Sequence, residues 1–114
     1  MARVPLERIA WGRSGDKGEA SNLGVVARSP AAWEWLRANL SAEVVAAGLA
    51  RIVRGRVVRF ELPNLRALNF ILHDSLGGGG SASLLTDAQG KTHAQALLRL
   101  EVEVAVEVLD ATPD

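Results

Sequence analysis

Residues 57–72 run VVRFELPNLRALNFIL, and the spacing of their apolar side chains decides the fold class. Val58, Phe60 and Leu62 fall on one side of an extended chain, with Val57, Arg59 and Glu61 on the other. Pro63 and Asn64 supply turn chemistry, after which Leu68, Phe70 and Leu72 resume the alternation. Two period-two runs joined by a loop of several residues predict neighbouring strands of a hairpin. Leu65, Leu68, Leu72 and Ser75 also approximate helical spacing, so a short helix over 66–75 competes with the second strand. The strand is the preferred reading.

Outward from this hairpin, the cleanest alternation lies at the C-terminal end. Leu98, Leu100, Val102, Val104, Val106 and Val108 interleave with Arg99, Glu101, Glu103, Ala105, Glu107 and Leu109, as in a half-buried strand. Upstream the period changes. Ser29 and Pro30 make a good helix start, and Trp33, Leu36, Leu40, Val44 and Ala47 then recur every three or four residues. Ser41 suits the cap of a second short helix, and Gly48 suits a stop. Trp35 falls off this stripe, as a partly covered side chain or as an anchor for another chain. The sequence thus predicts strands at 4–12, 22–28, 56–62, 67–73 and 98–108, with helices at 30–48 and 90–97. That order predicts an α+β fold, a ferredoxin-like α/β sandwich with a mostly antiparallel sheet, helices on one face and an extra N-terminal hairpin. The tail from Asp110 to Asp114 is expected to fray.

A chain of 114 residues is read as one domain spanning 1–114, able to bury roughly 65% of its unfolded surface. With no cysteine it has neither disulfides nor thiolate metal sites, which fits a reducing cytoplasm. Thirteen basic and thirteen acidic residues leave no net field that points to nucleic acid or an anionic membrane. Arg51, Arg54, Arg56 and Arg59 are read as a solvated strand face opposite the glutamates at 101, 103 and 107. No apolar run approaches the roughly 18 residues of a membrane span, and the opening residues do not resemble a secretory signal. Tyrosine is absent, so the core falls to Val, Leu, Ile and Ala with help from Trp11, Trp33 and Trp35.

The chemistry concentrates where glycine stands beside charge. Arg13, Ser14, Gly15, Asp16, Lys17 and Gly18 form the first island, with Asn22 just beyond it. Glycines there let backbone amides turn into one concavity, while Arg13 and Lys17 suit a carboxylate or phosphate. Asp16 suits an acid–base role or the orientation of Lys17, and Lys17 suits stabilisation of developing negative charge. The same residues also make an excellent hairpin turn. A second island is Gly77, Gly78, Gly79 and Gly80, followed by Ser81 and Ser83; a third holds Asp87, Gly90 and Lys91. A run of four glycines is costly in chain entropy, which is easier to understand where a ligand or a backbone lies against it; a flexible connector is the alternative. His73 and His93, with Asp74 or Asp87, do not have a spacing that demands a metal, and none is assigned.

These islands, in this order, resemble the AtuA-like ferredoxin-fold domain. The resemblance is carried by Arg13 to Gly18, Asn22 to Arg28, Leu68 to Phe70, Leu76 to Gly79, Ser83 and Leu84, Asp87, and Gly90 to Thr92. It spans about residues 5–98, and Glu19 stands where that family more often has Asn. In that family the domain usually forms the C-terminal part of longer proteins associated with acyclic terpene utilisation through acyl-CoA intermediates, and stand-alone versions occur. The resemblance therefore implies a small cytoplasmic subunit that works with a larger AtuA-type partner or as a homo-oligomer. Its three islands would complete a site for an anionic small molecule such as an acyl-CoA. An independent homo-oligomeric enzyme using Asp16 and Lys17, and a purely structural oligomerisation module, are the alternatives. The resemblance assigns no cofactor.

Overall fold

A computed structural model describes residues 1–17, 20–50, 53, 55–73 and 93–113. The hairpin of residues 57–72 forms as its alternation predicts. β4 (Val57–Leu62) and β5 (Ala67–His73) pair antiparallel through a 3-10 turn at Pro63–Leu65, and Arg66 takes the left-handed conformation (φ 50°) that reverses the chain. β2 (Ala10–Lys17) and β3 (Ala20–Ala27) form a second hairpin, and β3 pairs antiparallel with β5. The resulting four-stranded sheet has the order β2-β3-β5-β4. β3 and β4 flank β5, so the helical segment between them crosses over one strand, as in a ferredoxin-like unit.

Two caps set the helices of that crossover. The Ser29 hydroxyl accepts from the Ala32 amide at the start of α1 (Pro30–Asn39), and the Ser41 hydroxyl accepts from Val44 at the start of α2 (Ala42–Gly48). Each satisfies an amide that the first helical turn leaves without a partner. Because the second cap restarts the helix, the apolar stripe does not run on in register: Trp33, Leu36 and Leu40 are buried as expected, but Val45 is buried in place of Val44. α1 and α2 cover one face of the sheet, where Leu23, Val25, Leu68, Phe70 and Leu72 have no solvent exposure. Leu97, from α3 (residues 93–98), joins the same core.

Three expectations change. The strand expected at 4–12 is broken by a 3-10 turn at Leu6–Arg8, which separates β1 (Ala2–Pro5) from β2 and buries Leu6. The strand expected at 98–108 shrinks to β6 (Glu101–Val104), which pairs with β1 rather than joining the four-stranded sheet. That ladder ends at Ala2↔Val104, and beyond it the backbone closes its own hydrogen bonds in α4 (Val106–Asp110), leaving Val106 exposed. The tail is held through Thr112, which is 1% exposed; its hydroxyl lies 2.6 Å from Ser29 Oγ and donates to the Val108 carbonyl at 2.7 Å. The Arg8 guanidinium donates to the carbonyls of Thr112 and Leu109.

The faces of β4 are also the reverse of a simple apolar-inside reading. Cross-strand partners share a face, and Arg59 pairs with buried Phe70, so Arg59 and Glu61 point to the helix side. Phe60 and Leu62 point away from it. Arg59 is not paired with the C-terminal glutamates: it donates to Leu40 and Arg37 carbonyls at 3.0 and 2.8 Å and to Glu61 at 2.9 Å, fastening the end of α1 to the sheet. Trp35 proves to be a partly covered residue whose indole N–H donates to the Glu103 carbonyl at 3.2 Å.

Candidate functional site on the open sheet face

With the helices on one side, the residues of opposite parity form a face that no described helix covers. Three rungs cross it. Trp11, Val26, Ala67 and Leu62 make the first; Arg13, Gly24, Asn69 and Phe60 the second; Gly15, Asn22, Ile71 and Val58 the third. Trp11 and Phe60 are each 49% exposed and Leu65, on the turn beside Leu62, is 66% exposed, so the rims of the face are apolar. Arg28 holds one rim in place: its guanidinium stacks 4.7 Å from the Trp11 ring centre and donates to the Glu7 carbonyl at 2.9 Å.

Between the rims lies a groove of about 350 Å³. Its polar end is bordered by Arg13, Ser14, Gly15, Asn22 and Asn69, and its apolar end by Val26, Leu62, Leu65 and Ala67. Gly24 occupies the centre of the floor, between Arg13 and Asn69 on the same rung. Among the described residues, Arg13 is the sole ionisable one in this lining. Among the described residues, no side-chain hydrogen bond or ion pair engages Arg13, Asn22 or Asn69.

The glycines explain why a groove exists. A Cβ on Gly12 would sit 3.1 Å from Leu98 Cδ1, and one on Gly48 would sit 3.2 Å from Leu100 Cδ2, so those two glycines make room for neighbouring, partly buried leucines. A Cβ on Gly15 would meet nothing within 4 Å, and one on Gly24 only the Arg13 carbonyl at 3.9 Å. Neither has a positive φ. Interior strand glycine is unfavourable by roughly 0.5–1 kcal/mol against alanine, and nothing inside the described fold requires it at these two positions. Close approach of a ligand or another backbone is one of the circumstances that place glycine inside a strand.

Of the residues singled out from the sequence, Arg13, Ser14, Gly15 and Asn22 thus border one concavity. They do so from strands, since β2 continues through Lys17 and its register partner is Ala20, leaving only Gly18 and Glu19 between. The backbones of Asp16 and Lys17 pair with those of Ser21 and Ala20 at the end of this hairpin. Gly18, Gly77, Gly78, Gly79, Gly80, Asp87, Gly90 and Lys91 lie outside the described residues, as do Arg51, Arg54 and Asp74. Sequence reasoning missed Gly24 and Asn69. Both carried a signal: a lone glycine and a lone amide, each inside an apolar strand. His93 is buried at the start of α3, and His73 ends β5. Among the described residues no three of His, Cys, Asp and Glu gather as a metal site would need.

An antiparallel sheet with helices on one side and a crossover that spans one strand defines a ferredoxin-like α+β domain. A family model described as the AtuA ferredoxin-like domain matches residues 4–103, and the chain belongs to that family. No curated protein and no solved structure matches it.

Proposed function

We propose that the chain serves as the accessory small subunit of an AtuA-type protein, set against a larger partner, where it completes a site for an anionic ligand. The observation that carries this reading is the open face: among the described residues Arg13 is the one charge in a groove with two unengaged amides, beneath apolar rims that a partner would cover. Family membership supports the accessory role. The ligand class follows from Arg13, which presents a planar set of donors to carboxylate or phosphate, with Lys17, Lys91 and the glycine amides as further contributors. The pathway implied by the family, breakdown of acyclic terpenes through acyl-CoA intermediates, gives the first ligands to try. We place the chain in the cytoplasm, a reading that the cysteine-free composition supports; no helix among the described residues is long and apolar enough to cross a membrane.

Co-expression with a larger AtuA-type protein tests the proposal. The expected result is co-purification of the two chains, and binding of an acyl-CoA that weakens at least about tenfold in Arg13→Ala and Lys17→Ala, the loss expected for a charge-assisted hydrogen bond. Two chains that never associate would overturn the subunit reading. Turnover by the purified small chain alone would favour an independent enzyme using Asp16 and Lys17.

A further inference from the structure

We propose that the groove over Gly24 binds a small monocarboxylate with an extended apolar body, its carboxylate between Arg13, Asn22 and Asn69 and its body along Val26, Ala67 and Leu62. This deepens, and rests on, the reading of the open face as a site for an anion.

Gly24 carries the step. It lies between Arg13 and Asn69 on one rung, and the sheet spacing puts those two backbones roughly 10 Å apart. With no side chain at Gly24 or at Gly15, the gap is open down to the backbone. A guanidinium on β2 and primary amides on β3 and β5 match the lone pairs of one carboxylate, with Arg13 neutralising its charge. Among the described residues this lining holds one cation, which balances a monocarboxylate and leaves a doubly charged phosphate half neutralised.

The body has one direction to take. From Asn22 to Val26 along β3 the groove runs about 13 Å, and its lining turns from amides to aliphatic side chains over that length. Ala67, small among its neighbours, keeps the path low between Val26 and Leu62, and Leu65 stands at the far edge. A chain of medium length fits that run; a compact polar acid would leave the apolar end wet.

The test is amide-resolved NMR titration of the purified chain with acetate, butyrate, hexanoate and octanoate, and with octanol as the uncharged comparator. The expected result is perturbation centred on Gly15, Asn22, Gly24 and Asn69, with affinity rising roughly two- to fourfold per added methylene as the body leaves water. Octanol and the Arg13→Gln variant with octanoate should each bind about tenfold weaker or more. Gly24→Val, whose Cβ would meet only the Arg13 carbonyl at 3.9 Å, should retain the strand signals and lose the carboxylate. Equal binding of octanol and octanoate, undiminished binding by Gly24→Val, or no perturbation by any acid would each overturn the inference. Acyl-CoA binding and partner capture that persist while free carboxylates fail would sink this inference and leave the proposed function standing. Carboxylate binding without partner capture would do the opposite.

Discussion

Gly12 and Gly24 lie on paired strands and differ in what surrounds their missing side chains. Leu98 fills the space beside Gly12, whereas the space above Gly24 is open. The two therefore separate packing from function by a stability measurement alone. Gly24→Ala should raise the unfolding free energy by about 0.5–1 kcal/mol, because the folded backbone accepts a Cβ and the unfolded chain loses freedom. Gly12→Val should lower it by about 1–3 kcal/mol, because the new side chain overlaps the space that Leu98 fills. Urea unfolding followed by circular dichroism measures both. If both substitutions destabilise alike, Gly24 has a structural duty and the groove loses its main support. At this scale the sequence was only half legible: the glycine beside Arg13 and Lys17 attracted notice through its charged neighbours. Gly24 was hidden in an apolar strand, and its meaning depends on Arg13 and Asn69 being brought to either side by pairing.

Among the elements, the caps were legible because they are local. Ser29 and Ser41 announce their helices within three residues, and both bonds form. What was illegible depended on distant partners. Nothing near Val104 says that its ladder stops at Ala2, and nothing near Thr112 says that Ser29 awaits it 83 positions away. That latch gives a specific expectation. Thr112→Val removes the hydroxyl while keeping the shape, and should cost about 1–2 kcal/mol, the usual consequence of unpairing buried polar groups. Ser29→Ala removes the same bond and the α1 cap, so it should cost more. The double variant should cost less than the sum, with a coupling of at least about 0.5 kcal/mol, since the two residues share one hydrogen bond. Additive losses would mean that the bond contributes nothing. Arg59 makes a second long-range clasp, and its sequence context, among other arginines, suggested a solvated face instead. Arg59→Met keeps much of the stem but leaves the Arg37 and Leu40 carbonyls without this donor, and should cost about 1–3 kcal/mol in the same unfolding assay.

Across the whole molecule, the alternation of residues 57–72 established a sheet but left its inside undecided. Phe60 and Phe70 occupy similar positions in the two runs, each flanked by aliphatic residues at two-residue spacing. Only the register, Phe60↔Asn69 and Arg59↔Phe70, places one on the open face and the other beneath the helices. Period two records that a strand has two faces, and it cannot say which one a helix covers when both carry apolar residues. The consequence can be measured by treating the two phenylalanines as probes of the two faces. Phe70→Ala opens a cavity in the core and should cost about 3–5 kcal/mol. Phe60→Thr with Leu62→Thr replaces exposed apolar surface with β-branched residues that suit a strand, and should shift stability by no more than about 0.5 kcal/mol. If the open face receives the larger AtuA-type partner, that same double variant should lose co-purification, while Phe70→Ala, in whatever fraction remains folded, should keep it. Loss of stability without loss of association in the Phe60/Leu62 variant would place the partner elsewhere on the molecule and return the open face to the folding of this chain.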